Sequence, residues 1–165
     1  MVKRFCKQGK KVTKSFEVIG SVFDKPGIEG DFSLMSGQAE HEKTLFIFND
    51  NEEQFRAFER GERSGITAGG GNAGVRPLRG LKPPRAAGVP TGTLKGGGYS
   101  RLDEATKKVI NESIAVIQEL LNSGDYERMI FSKDESSPTL GTGLFFVAED
   151  VKKYIHDALM VLRPN

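Results

Sequence analysis

Three stretches of the sequence carry residue types suited to handling a phosphorylated ligand. The first, "TAGGGNAGVRP" (67–77), sets three consecutive glycines ahead of Asn72 and Arg76. Glycine costs roughly 0.5–1 kcal/mol relative to alanine inside a helix or strand, so such a run marks an unusual backbone path or a close approach to something. Successive amides of Gly70, Gly71, Asn72 and Ala73 can form a concave set of N–H donors for a phosphate. The second stretch, "LGTG" (140–143), offers Gly141, Thr142 and Gly143 for another. The third, "FNDN" (48–51), puts Asn49 and Asn51 where an amide can hold a ribose or orient a nucleobase, on either side of Asp50, a candidate general base. Each has a plainer reading as well: flexible surface turns for the glycines, and an Asx turn at a strand end for the asparagines.

The elements that must position these residues follow from periodicity. "SFEVIGSVFD" (15–24) alternates as a strand, "KPG" turns the chain, and "GDFSLMSG" (30–37) reads as a second strand, which together predict an N-terminal β-hairpin. "KTLFIFNDN" (43–51) is an apolar run ending abruptly in polar residues, as a buried central strand does at its carboxyl end. Residues 61–98 hold twelve of the 20 glycines, together with Pro77, Pro83, Pro84 and Pro90, and read as a long irregular glycine/proline-rich loop. Regular spacing returns at 100–124. There Val109, Ile110, Ser113, Ile114, Val116, Ile117, Leu120 and Leu121 mark a helix, with Asp103 and Glu104 at its amino end and Gly124 closing it. "RMIFS" (128–132) is a short buried strand. A last helix over 148–162 places Val151, Tyr154, Ile155, Ala158, Leu159 and Leu162 on one face. Strands alternating with helices make this an α/β chain, and in open α/β sheets ligands bind outside the carboxyl ends of the strands.

Composition narrows the classes. A chain of 165 residues, 37% hydrophobic and 28% charged, has the proportions of one soluble domain spanning 1–165. Its 24 Lys+Arg against 22 Asp+Glu leave a formal charge of +2, which does not mark a general nucleic-acid or membrane binder. Charge is uneven, however. Between residues 54 and 95, eight basic residues (Arg56, Arg60, Arg63, Arg76, Arg79, Lys82, Arg85 and Lys95) face only Glu59 and Glu62; Arg76, Arg79, Lys82 and Arg85 could neutralise a pyrophosphate, with Arg76 a candidate ligand contact, or contact nucleic acid, and the plainer reading is a solvated loop. A single Cys6, in the basic segment 1–14, makes no internal disulfide, and His41 and His156 are too few for a zinc cluster, so no metal and no cofactor is expected. His156 reads as structural or exposed. The absence of a roughly 20-residue apolar stretch or of a signal-peptide pattern points to a cytoplasmic protein with no membrane partner.

Taken in order, "FIFNDN", "GGGNAGVRP" and "LGTGLFFVAEDV" resemble the macrodomain family, whose members carry a strand ending in an asparagine-containing turn, a "GGGVAGAI"-like loop, and later an "STGIFG"-like loop before a terminal helix. The resemblance covers roughly residues 43–162. It implies a three-layer α/β sandwich with a mixed central sheet, and a site for ADP-ribose or a related NAD-derived nucleotide. It also extends the second loop's contacts to Leu144 and Phe145. The function it implies is binding, as a sequestering or sensing protein of the kind a bacterium or phage carries. Hydrolysis of an ADP-ribosyl bond, with Asp50 or a water held by the phosphate loops, is the enzymatic alternative. Nucleic-acid association through the basic 54–95 stretch is the third.

Overall fold

The computed structural model describes residues 15–143 and 145–165; the N-terminal basic segment with Cys6, and Leu144, lie outside them. In chain order the elements are β1 (Glu17–Ser21), α1 (Phe32–Met35), β2 (Thr44–Asp50), α2 (Glu52–Glu59), β3 (Ala86–Pro90), β4 (Gly92–Thr93), β5 (Gly97–Gly98), α3 (Glu104–Ser123), β6 (Arg128–Ser132) and α4 (Glu149–Met160). Runs of 3-10 turns occupy Ala39–His41, Arg63–Ile66 and Gly71–Gly80. Local chemistry starts the helices. The side chains of Asp31, Asn51 and Asp103 each accept from a backbone N–H of the first turn they precede, which satisfies a donor that has no carbonyl within the helix.

The main sheet has the order β1-β6-β2-β3, and every pair in it is parallel. Along β2 the side chains alternate between two cores. Leu45 and Ile47 pack with Met129 and Phe131 against Ile110, Ile117 and Leu121 of α3 and Val151, Ile155 and Leu159 of α4. Phe46 and Phe48 point the other way, joining Phe32, Met35, Val75, Ala86 and Ile130. Full burial of each such side chain is worth roughly 1.5–3 kcal/mol, so the two clusters clamp the sheet between a helical layer and a layer of short helix and 3-10 turns.

Three sequence expectations are corrected. Residues 30–37 do not pair with β1 in a hairpin. Phe32 and Met35, three apart, bury one face of the short helix α1, and β1 pairs instead with β6, Glu17 lying opposite Arg128. The main sheet is parallel, not mixed, because each strand returns through a crossover of helix or 3-10 turns. Within the supposed irregular loop 61–98 lies β3, buried along its whole length and paired with β2 from Phe46↔Ala86 to Asp50↔Pro90. The small antiparallel pair β4–β5 follows it.

Candidate functional site

β2 and β6 are neighbours, yet the chain leaves β2 for β3 on one side and reaches β6 on the other only after α3. That reversal makes the carboxyl ends of β2 and β6 a switch point in strand order, the position at which open parallel sheets bind ligands. Both glycine stretches converge there on one residue. The Asn72 amide donates to the Ser132 hydroxyl at 2.9 Å, while the Gly141 N–H donates to the Ser132 carbonyl at 2.9 Å. Asn49 completes the link by donating from its side chain to the Gly141 carbonyl at 2.7 Å. Asn72 also accepts from the Phe32 N–H at 2.8 Å and is 8% exposed, so it acts as a strut between α1, the glycine turn and β6. Asn51 is occupied as the cap of α2, accepting from the Gln54 N–H at 2.9 Å. Neither Ser132 nor its bridging role was signalled locally. A serine at a strand end is unremarkable until two distant loops land on it.

At the first turn, Gly70 and Gly71 are exposed, and a Cβ added to either would meet nothing within 4 Å. Gly71 has φ +54, a backbone conformation that glycine adopts at no steric cost. The amides of Gly70, Gly71 and Asn72 stand ahead of the first donor of the 3-10 run, the Ala73 N–H, which already bonds the Gly70 carbonyl at 3.1 Å. Leading N–H groups of this kind have no carbonyl of their own to meet. Ala73 thus belongs to the turn's internal bonding, and the candidate donors narrow to residues 70–72, of which Gly70 and Gly71 are exposed and Asn72 is buried. At the second loop Thr142 accepts from the Phe145 N–H at 3.4 Å, and Gly143, at φ +63, faces open space. Phe145 and Phe146 are 73% and 76% exposed.

Asp50 does not face this surface. Its side chain is 0% exposed, and both carboxylate oxygens accept from guanidinium groups: Oδ1 from Arg76 Nη2 at 3.0 Å and Oδ2 from Arg79 Nη1 at 2.7 Å. The arginines, 4% and 3% exposed, also tie down the backbone between α2 and the glycine turn. Arg76 donates to the Thr67 carbonyl at 3.0 Å, and Arg79 to the carbonyls of Gln54, at 2.9 Å, and Gly65. Both guanidinium groups lie near the Phe48 ring, 5.4 and 5.3 Å from its centroid, and Arg79 also lies over Phe58 at 4.6 Å. Burial lowers the Arg79 pKa, Asp50 opposes that shift, and the like charge of Arg76 reinforces it. A general base must come within hydrogen-bond reach of a substrate proton. In this arrangement Asp50 anchors the turn instead.

The remaining basic residues of 54–95 are largely engaged too. Arg56 pairs with Glu59 and Glu112, Arg60 with Glu62, and Arg85 donates to the carbonyls of Ser36 and His41. An open depression of about 340 Å³ is lined by Glu52, Glu53, Arg56, Arg60 and Thr93. Its acids are engaged, Glu52 accepting from the Tyr99 hydroxyl at 2.9 Å and Glu53 from the Leu94 N–H at 2.9 Å. Burial and then Glu52 push the Tyr99 phenol far above the ordinary tyrosine range. His156 packs edge-on against Phe131 at 5.6 Å. No helix among the described residues is long and apolar enough to cross a membrane. The chain matches no family model, and no curated protein or solved structure matches it.

Proposed function

We propose that the chain binds a nucleotide of the ADP-ribose class at the carboxyl ends of β2 and β6. The observation that carries this reading is the convergence of two glycine turns on Ser132, one of them exposed at Gly70 and Gly71, whose amides stand ahead of the first donor of the 3-10 run. Phosphate oxygens are the natural acceptors for such amides. Two turns meeting at one strand end suit a diphosphate better than a single phosphate. The exposed Phe145 and Phe146 beside the second turn supply aromatic faces for a base or ribose, a contact worth roughly 1–3 kcal/mol per stacked base. Binding without turnover is favoured over hydrolysis, since Asp50 is enclosed by Arg76 and Arg79. ADP-ribose incubated with the protein is therefore recovered unchanged.

Gly70 provides the cleanest test. It precedes the 3-10 run in the cap position with φ −75 and has room for a side chain. In Gly70→Asp the new carboxylate caps the run and occupies the amides that a phosphate would use. Calorimetric titration with ADP-ribose should show at least a tenfold loss of affinity, with a melting temperature equal to or above that of the wild type. Affinity kept within twofold in this well-folded variant removes the turn from the site.

A further inference from the structure

The buried cluster beneath the first glycine turn does not balance its charge. Among the described residues Arg76 and Arg79 share one carboxylate, Asp50, and their other hydrogen-bond partners are the neutral carbonyls of Thr67, Gly65 and Gln54. Two cations and one anion, each no more than 4% exposed, leave one surplus positive charge out of contact with water. That charge abuts the turn. A Cβ on Gly69 would lie 2.7 Å from Arg76 Nη1 and 3.3 Å from Nη2, so the guanidinium packs against the backbone just ahead of the exposed Gly70 and Gly71. Buried charge is poorly screened by salt, and its field reaches the surface where the covering layer is thinnest. Here that layer is a bare glycine backbone.

We infer that the surplus charge of the Arg76–Asp50–Arg79 cluster sets the charge preference of the glycine-turn site, selecting a polyanionic diphosphate over neutral or singly charged nucleosides and nucleotides without the arginines touching the ligand. This inference rests on the nucleotide reading above and assigns Arg76 and Arg79 as positioning and specificity residues. The cluster is built for this task at a cost. A buried arginine pair with one counter-ion is less favourable than a balanced pair, and proximity to the Phe48 and Phe58 rings offsets only part of the deficit.

The test uses the opposite effects of two substitutions on charge. Arg76→Gln lowers the cluster from a surplus of one to zero, whereas Asp50→Asn raises it to two. Arg76→Gln removes one ion pair and Asp50→Asn removes two, so both lower the melting temperature. Titrations of the full chain with ADP-ribose, AMP and adenosine separate the two effects. Arg76→Gln should weaken ADP-ribose binding at least tenfold, since one unit charge roughly 10 Å away at an effective dielectric near 20 shifts affinity by about tenfold or more for each phosphate charge. Adenosine binding should stay unchanged. Asp50→Asn should bind ADP-ribose several-fold more tightly than the wild type despite melting lower. If both variants instead weaken ADP-ribose and adenosine in parallel, the cluster is only scaffolding and the inference is overturned. Should Asp50→Asn fail to fold, Arg76→Lys takes its place. Lysine keeps the charge but not the two-pronged geometry, so recovery of ADP-ribose affinity relative to Arg76→Gln supports the inference, and a loss equal to that of Arg76→Gln overturns it. A wild-type protein that binds none of the three ligands defeats the nucleotide reading itself, a result distinct from either variant outcome.

Discussion

Asn72 illustrates how a residue that looks like a ligand contact can be more valuable as a strut. Its carbonyl oxygen and its amide nitrogen each hold a buried partner, Phe32 N–H and Ser132 Oγ, on different elements. Truncation strands both, and a buried polar group left without a partner costs about 1–3 kcal/mol. Asn72→Ala should therefore lose about that much stability in urea titrations with an unchanged m-value, and the turn should gain amide exchange. A loss below about 0.5 kcal/mol would mean water replaces both bonds. Asn49 is less burdened: it is half-buried, and its side chain donates to the Gly141 carbonyl. The sequence allows asparagines at these positions to be picked out as polar groups near a strand end. Which of them is a strut depends on partners 40 and 60 residues away, and no local pattern encodes those.

At the scale of elements, legibility follows the range of the interaction. β2, β6, α3 and α4 are readable because their apolar spacing serves one neighbouring layer, and the observed bounds fall within the sequence-based spans. β3 is hidden because its glycine serves another element. A Cβ on Gly88 would lie 2.6 Å from Asp50 Oδ2 and 3.0 Å from Arg79 Nη1, so the strand is thinned to admit the ion cluster. Gly88→Ala should accordingly destabilise the fold by about 1–3 kcal/mol, the usual cost of overpacking, where strand propensity alone would predict a gain. A stabilised Gly88→Ala protein would show that the cluster yields easily. The N-terminal hairpin fails as an expectation for a related reason: alternation announces a strand but not its partner, and β1 finds β6 at the far end of the chain. Helix starts are more local, and they titrate. The Thr106 N–H, its hydroxyl and Arg101 hold the Asp103 carboxyl below the usual aspartate range. A carboxyl depressed on folding contributes stability above its unfolded pKa, near 4, and loses that contribution as pH falls through the folded value. Asp103→Asn keeps a capping oxygen without a titrating group. Between pH 5 and 2.5 its melting temperature should fall less steeply than that of the wild type, and parallel curves would show that the cap carries no charge-dependent share.

For the whole molecule, the question is where the charge goes. A stretch with eight basic and two acidic residues resembles a nucleic-acid surface when read along the chain. Folding disperses it. Arg76 and Arg79 turn inward onto Asp50, Arg56 and Arg60 pair with glutamates, and Arg85 holds backbone carbonyls at the amino end of β3. Arg63, Lys82 and Lys95 are left as exposed cations in separate connections, at the 3-10 turn Arg63–Ile66, before β3 and between β4 and β5. Phosphate-backbone binding draws its affinity from several cations that together release counter-ions, with log K falling by roughly 0.9 per contact for each decade of salt on duplex DNA. Three scattered cations supply at most a shallow slope. Titration of a labelled 20-mer duplex or single strand into the full chain should therefore show only weak association at 50 mM salt, lost by 200 mM, while ADP-ribose binding changes much less over that range because the charge behind its site is buried. Tight oligonucleotide binding with a slope of five or more would overturn that expectation, since the three exposed cations of the 54–95 stretch cannot supply it.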